Sequence, residues 1–162
     1  MFYVLQPSWN SNLKLEEPMT PHVRKFIPDE EIMIFERIRN AVAVMPDIEF
    51  GNDEENQPIV LSCHMLARAV GAVFSLQYVD GYFYPRHDHS WLITPRRNII
   101  DVYPVATLGG PTMIDGNNGI MARQLYYPGG TQGISRGRFE RPSFKVAVLK
   151  ICGVLRSTGD VT

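Results

Sequence analysis

Residues Gln57–Pro104 read QPIVLSCHMLARAVGAVFSLQYVDGYFYPRHDHSWLITPRRNIIDVYP. This stretch decides the fold. Ser62 is a good helix cap, since its hydroxyl can accept a hydrogen bond from an orphan backbone N–H. Leu66, Ala69, Val70 and Val73 then form one apolar face, so a helix is predicted from about Cys63 to Val73. Gly71 weakens that helix slightly and leaves room for another element to pack closely. His89–Thr94 alternates, with His89, Trp91 and Ile93 on one face. Ile99–Tyr103 is the next strand, with Ile99, Asp101 and Tyr103 on one face.

A thiol, an imidazole and a carboxylate therefore follow one another as Cys63, His89 and Asp101. That order suits an activated sulfur nucleophile. Partial positive charge at a helix start favours a thiolate, and Cys63 is the first residue after the cap. A strand holds His89 rigidly as a base, with Trp91 beside it as a shield from water. Asp101 lies between apolar neighbours, where a carboxylate is costly to bury unless paired. Accepting the imidazole N–H is its obvious use.

Register makes this a geometric demand. If Thr94 pairs with Asn98, or Ile93 with Ile99, then Trp91 lies opposite Asp101 and His89 shares its face. An even loop, with Thr94 paired to Ile99, puts Leu92 opposite Asp101 and separates the two. The expectation is an odd loop, with Asn98 or a neighbour at positive φ.

Cysteine at a helix start, His89-x-Trp91 on a strand, then Asp101-x-x-Pro104 ending the next strand resembles the transglutaminase-like branch of the papain-like cysteine hydrolases. The resemblance covers about Gln57–Val105. It implies an α+β fold, helices packed on an antiparallel sheet in a papain-like or transglutaminase-like core. It also implies thiol chemistry on a peptide or protein amide bond, by hydrolysis, deamidation or transamidation, without a cofactor. Papain-like enzymes commonly place a Gln six positions before the nucleophile, and Gln57 holds that place here. The resemblance thus makes Gln57 an oxyanion donor beside the Cys63 N–H. A Trp often follows the family's nucleophile, whereas this chain has His64. Trp91 and His64 are the candidate substrate-binding residues.

Outward from this stretch, 1–27 reads as an arm packing through Phe2, Tyr3, Val4 and Trp9. Residues 28–105 read as the core of a single domain, and 106–162 as C-terminal strands and loops. Asp29, Glu30 and Glu31 favour a helix start. Phe35, Ile38, Val42 and Met45 recur at helical spacing, and Pro46 stops the run. Asp47–Gln57 is an acidic loop. Asp80-Gly81 signals a hairpin turn or a bulge, and Arg86-His87-Asp88 a loop. Short strands are expected near Thr112–Ile114 and Met121–Tyr127, and a long loop over Gly129–Pro142. Phe144–Leu155 reads as a last core strand, with a short helix as the other reading.

The 162 residues suit one core, and apolar and charged fractions of 44% and 20% are those of a globular protein. A net charge of −1 without basic–aromatic interleaving points away from nucleic acid. No apolar run of membrane length and no leader pattern is seen, so the expectation is a cytoplasmic protein off the membrane. Two cysteines make no disulfide framework, and Cys63 and Cys152 are expected to stay unbridged. His87 and His89 alternate onto one strand face and offer a rival metal site, with Cys63, His64 or Asp101 as third ligand; His87 is also the competing base. A non-catalytic module of the same fold is the other alternative.

Overall fold

The computed structural model describes residues 21–103, 111–118, 121–129 and 134–158. The expected arm contacts of Phe2, Tyr3, Val4 and Trp9, and Pro104 of the motif, lie outside these residues. The fold is α+β. The described elements run α1 Pro21–Phe26, α2 Asp29–Ala43, α3 Cys63–Phe74, β1 Gln77–Phe83, β2 His87–Ile93, β3 Ile99–Asp101, β4 Thr112–Ile114, α4 Met121–Leu125, β5 Tyr126–Pro128, α5 Ile134–Glu140 and α6 Pro142–Ser157. The strands form one antiparallel sheet in the order β4-β3-β2-β1-β5.

Strand alternation divides the core. Leu92, Ile100 and Met113, with Val102 just past β3, turn one way and pack with Leu66 and Val70 of α3, Phe35 and Ile38 of α2, and Ile151 and Leu155 of α6. Phe83, Trp91, Ile99, Ile114 and Tyr126 form a second cluster with Leu125 of α4. Fully burying one such aliphatic side chain is worth ~1.5–3 kcal/mol, so either cluster holds its layer in place.

The β2–β3 connection settles the register. Leu92 pairs with Ile100 and Ile93 with Ile99, and the Thr94 N–H donates to Asn98 O at 2.9 Å. Pro95, Arg96 and Arg97 thus make the tight odd loop expected, and Arg97 takes the positive φ of 64°. Helix α2 locks this turn. Buried Glu31 accepts from the Arg96 N–H at 3.1 Å and from Asn98 Nδ2 at 2.8 Å. Asn98 Oδ1 in turn accepts from the Gly116 N–H at 3.1 Å, next to β4.

Two glycines are required by close approach. At Gly71 a Cβ would lie 2.8 Å from Leu76 O; its absence lets the chain turn straight back from α3 into β1 through Ser75, which is left-handed. At Gly81 a Cβ would collide with Tyr127 O and lie 2.8 Å from Trp91 Cη2. Asp80-Gly81 is therefore neither turn nor bulge: β1 runs through it in register with Ser90 and His89, and Gly81 admits β5 against β1. Tertiary packing overrides the turn signal.

Several other expectations are corrected. His87 and Asp88 open β2 rather than forming a loop. Met121–Tyr127 divides into α4 and the start of β5. The Gly129–Pro142 loop contains α5. Phe144–Leu155 is no strand but the body of α6, so the C-terminal part is not only strands and loops. Phe144, Ala147, Ile151, Cys152 and Leu155 bury one helical stripe, and that packing outweighs the β-branched composition. The acidic loop explains the helix start: Glu54 accepts from the Ser143 N–H at 2.9 Å and from Ser143 Oγ at 2.5 Å, while Glu55 pairs with Arg141. Among the described residues, no helix is long and apolar enough to cross a membrane.

Gly81→Ala should destabilise the fold by about 1–3 kcal/mol, because the methyl has backbone on one side and the Trp91 ring on the other. Urea denaturation checks this; an unchanged midpoint would show that β5 does not press on β1 as described.

Candidate active site

The start of α3 and the middle of β2 meet residue for residue. Ser62 caps the helix, its Oγ accepting from the Met65 N–H at 3.3 Å. Cys63, the first helical residue, lies close enough to the His89 ring for its sulfur to favour the protonated imidazole. His64, the second, places Nδ1 at 2.6 Å from Ser90 Oγ. Cys63, His64, His89 and Ser90 are all buried.

His89 is fixed from its far side. Its Nε2 lies 2.8 Å from Asp101 Oδ2, which leaves Nδ1 as the nitrogen that can face sulfur. Asp101 is only 1% exposed, and its charge is distributed over three donors. Oδ2 also accepts from the Tyr126 hydroxyl at 2.8 Å, and Oδ1 accepts from the Tyr103 N–H at 3.3 Å. Trp91 stacks beside the imidazole at 6.2 Å and 27°, and Phe83 meets it edge-on at 5.8 Å. Burial works against a charged imidazole here, but the Asp101 carboxylate and the Cys63 thiol override it and lift the His89 pKa to about 10. His89 is thus an imidazolium at neutral pH, bonded to the Asp101 carboxylate.

His64 is driven the other way, to about 3, by burial and by the Arg138 guanidinium, against the pull of Asp80. Ser90 Oγ donates to Asp80 Oδ1 at 2.5 Å, so its oxygen accepts the His64 Nδ1–H. Arg68 closes the set with a two-pronged pair to Asp80 at 2.9 and 2.7 Å. His64 Nε2 lies 3.7 Å from Asp88 Oδ2, and with the ring proton on Nδ1 it donates nothing to that carboxylate. The Asp80 carboxyl is lowered despite its burial, through Arg68 and Ser90.

The structure thus brings Cys63, His89 and Asp101 together. It does not bring Gln57 to them. Gln57 is exposed, in a turn where Asp53 Oδ1 accepts its backbone N–H at 2.8 Å and its side-chain amide donates to Glu55 O at 3.4 Å. Six positions of separation do not aim a side chain, and the Asp53–Gln57 turn points this one outward. Trp91 and His64, expected at the substrate, are 2% and 5% exposed; Trp91 stacks beside the His89 ring and His64 bonds Ser90. The missed residue is Tyr126. No sequence spacing ties it to Asp101, because β5 reaches the sheet by pairing with β1.

His87 is exposed, whereas His89 is buried and engaged by Asp101. Among the described residues, no group of three His, Cys, Asp or Glu side chains could hold a metal ion. Cys63 and Cys152 are free thiols, as expected, and Cys152 Sγ contacts Ala69 O at 3.7 Å. Beside Ser62 opens a cleft of about 270 Å³, walled by Ile59, Val60, Met65, Arg138 and Phe144.

The two histidines set opposite pH slopes on stability. An unfolded histidine titrates near 6.5, and His64 in the fold near 3. Between these values the unfolded chain binds more protons, so stability is lost as pH falls through that window. For His89 the folded value near 10 lies above 6.5. Its contribution is whole below 6.5 and is lost as pH rises towards 10. Urea midpoints measured across pH should show His64→Gln flattening the acid limb and His89→Gln the alkaline limb. Parallel curves for wild type and both variants would contradict these protonation states.

Compared with known proteins, the chain matches no family model, no curated protein and no solved structure.

Proposed function

We propose that this protein is a cysteine hydrolase acting on an amide bond of a peptide or protein, with a papain-like or transglutaminase-like core. The observation that carries the reading is the buried His89–Asp101 bond at 2.8 Å with the Cys63 sulfur near the same ring. A carboxylate that fixes one imidazole nitrogen and leaves the other for a nucleophile is the arrangement that acyl transfer needs.

In this mechanism the proton of Cys63 resides on His89 Nδ1, leaving a thiolate at the helix start. The sulfur attacks the amide carbonyl carbon, and the carbonyl electrons move onto oxygen. The N–H groups of the first helical turn have no intrahelical acceptor; Ser62 Oγ takes that of Met65. Those of Cys63 and His64 are therefore the donors offered to the oxyanion. His89 then protonates the leaving nitrogen, the C–N bond breaks, and a thioester remains on Cys63. Water attacks the thioester with His89 taking its proton, and the thiolate leaves. An amine in place of water gives the transamidase variant.

A non-catalytic binding module of the same fold would not need an imidazolium beside a thiol. Cys63→Ala and His89→Ala should each abolish turnover of a peptide amide library, with circular dichroism unchanged. Iodoacetamide should label Cys63 far faster than Cys152, whose thiol pKa is raised by burial. Equal slow labelling of both cysteines, or full activity in Cys63→Ala, would end this reading. Gln57→Ala should leave activity within a few-fold, against the loss of roughly 10²–10³-fold typical of an oxyanion donor.

A further inference from the structure

Tyr126 reaches the site from a strand outside the cysteine–histidine–aspartate sequence pattern. Its hydroxyl donates to Asp101 Oδ2 at 2.8 Å, and His89 Nε2 meets that same oxygen at 2.8 Å. All three side chains are buried. The Tyr126 ring is wedged edge-on against Phe83 and Trp91, each at 5.1 Å. Gly81 allows β5 close enough to β1 for the hydroxyl to arrive, since any side chain there would meet Tyr127 and Pro128.

We propose that Tyr126 is a positioning residue that sets how strongly Asp101 holds the His89 proton. One carboxylate oxygen accepts from both groups, so the phenol and the imidazolium compete for its electron density. The phenol stabilises the carboxylate most when His89 is neutral. It therefore weakens the pull of Asp101 on the imidazolium and makes the proton easier to release. A base that never released its proton could not carry it between thiol, leaving amine and water, so this moderation serves the proton transfers proposed above. The inference rests on that reading only for its purpose, not for its physics.

Among the described residues, the titratable groups facing His89 come from three elements and one connecting segment. Asp101 comes from β3, Cys63 and His64 from α3, Tyr103 from the segment after β3, and Tyr126 from β5. Burial and the Asp101 charge keep the Tyr126 phenol protonated well beyond the ordinary range, so it remains a donor throughout the titration of its neighbour.

The test is the NMR titration of the His89 ring in the full chain carrying Cys63→Ala, which removes the thiol and leaves Asp101 as the dominant partner. Tyr126→Phe keeps the ring packing and deletes only the hydroxyl; the His89 midpoint should rise by about half a pKa unit or more, roughly 3-fold in proton affinity. Difluorotyrosine placed at 126 keeps the shape and strengthens the donor, so the midpoint should fall. If Tyr126→Phe does not fold, the fluorinated chain decides alone. An unmoved midpoint, or both variants shifting the same way, overturns the proposal. Iodoacetamide labelling of Cys63 in the otherwise unmodified chain separates the two claims. A reactive Cys63 with an unmoved midpoint sinks the role of Tyr126 only; opposite shifts with an inert Cys63 sink the hydrolase and leave that role standing.

Discussion

A carboxylate with 1% exposure must find donors or lose its charge, and Asp101 finds three. Much of the architecture follows from satisfying it. His89 has to share its face, which fixes the parity of the β2–β3 loop. Tyr126 has to arrive from β5, which requires β5 against β1 and no side chain at residue 81. The backbone after β3 has to bend so that the Tyr103 N–H turns inward. Removing any one donor leaves part of a buried charge unmet, at a cost of about 1–3 kcal/mol or more.

The register that Asp101 needs is secured at a distance. Glu31 is buried at the start of α2 and is held by a backbone N–H and a side-chain amide of the β2–β3 turn. Asn98 passes the constraint on to Gly116. A slip of one residue would turn His89 and Asp101 to opposite faces and also break the Glu31 contacts. The helix that follows the N-terminal segment therefore guards a hairpin more than 60 residues away in sequence.

The thiol, the imidazole and the carboxylate were legible because each stood on a strongly patterned element, and because loop parity is arithmetic. Arg97 at φ 64° is the residue that the odd loop demanded. Other features were hidden for separable reasons. Phe144–Leu155 reads as a strand by composition, yet Pro142 marks a helix start and the stripe from Phe144 to Leu155 has helical spacing; period was the better guide. Asp80-Gly81 carries a turn signal that β5 packing overrides. Gln57 sits at a suggestive spacing, but side-chain direction depends on a turn held by Asp53. Tyr126 could not be placed at all, since the contact spans 25 residues and a non-sequential strand pairing.

The same geometry assigns roles to the two histidines flanking the thiol. His64 follows Cys63 in sequence and would be the first choice for a base on proximity. Its Nδ1–H is given to Ser90, whose own proton goes to Asp80, and Arg138 and Arg68 add positive charge nearby. Burial and these two guanidiniums outweigh the pull of Asp80 and hold the ring neutral, down to a pKa of about 3. His89 has the reverse surroundings, a carboxylate on one nitrogen and a thiol by the ring, and holds its proton up to about 10. Environments that push two like groups apart mark which one carries protons. Of the two rings, His89 is the one that holds a proton at neutral pH. His64 is held neutral and serves instead to pin the first turn of α3 onto β2, which places Cys63 where the His89 ring can reach it.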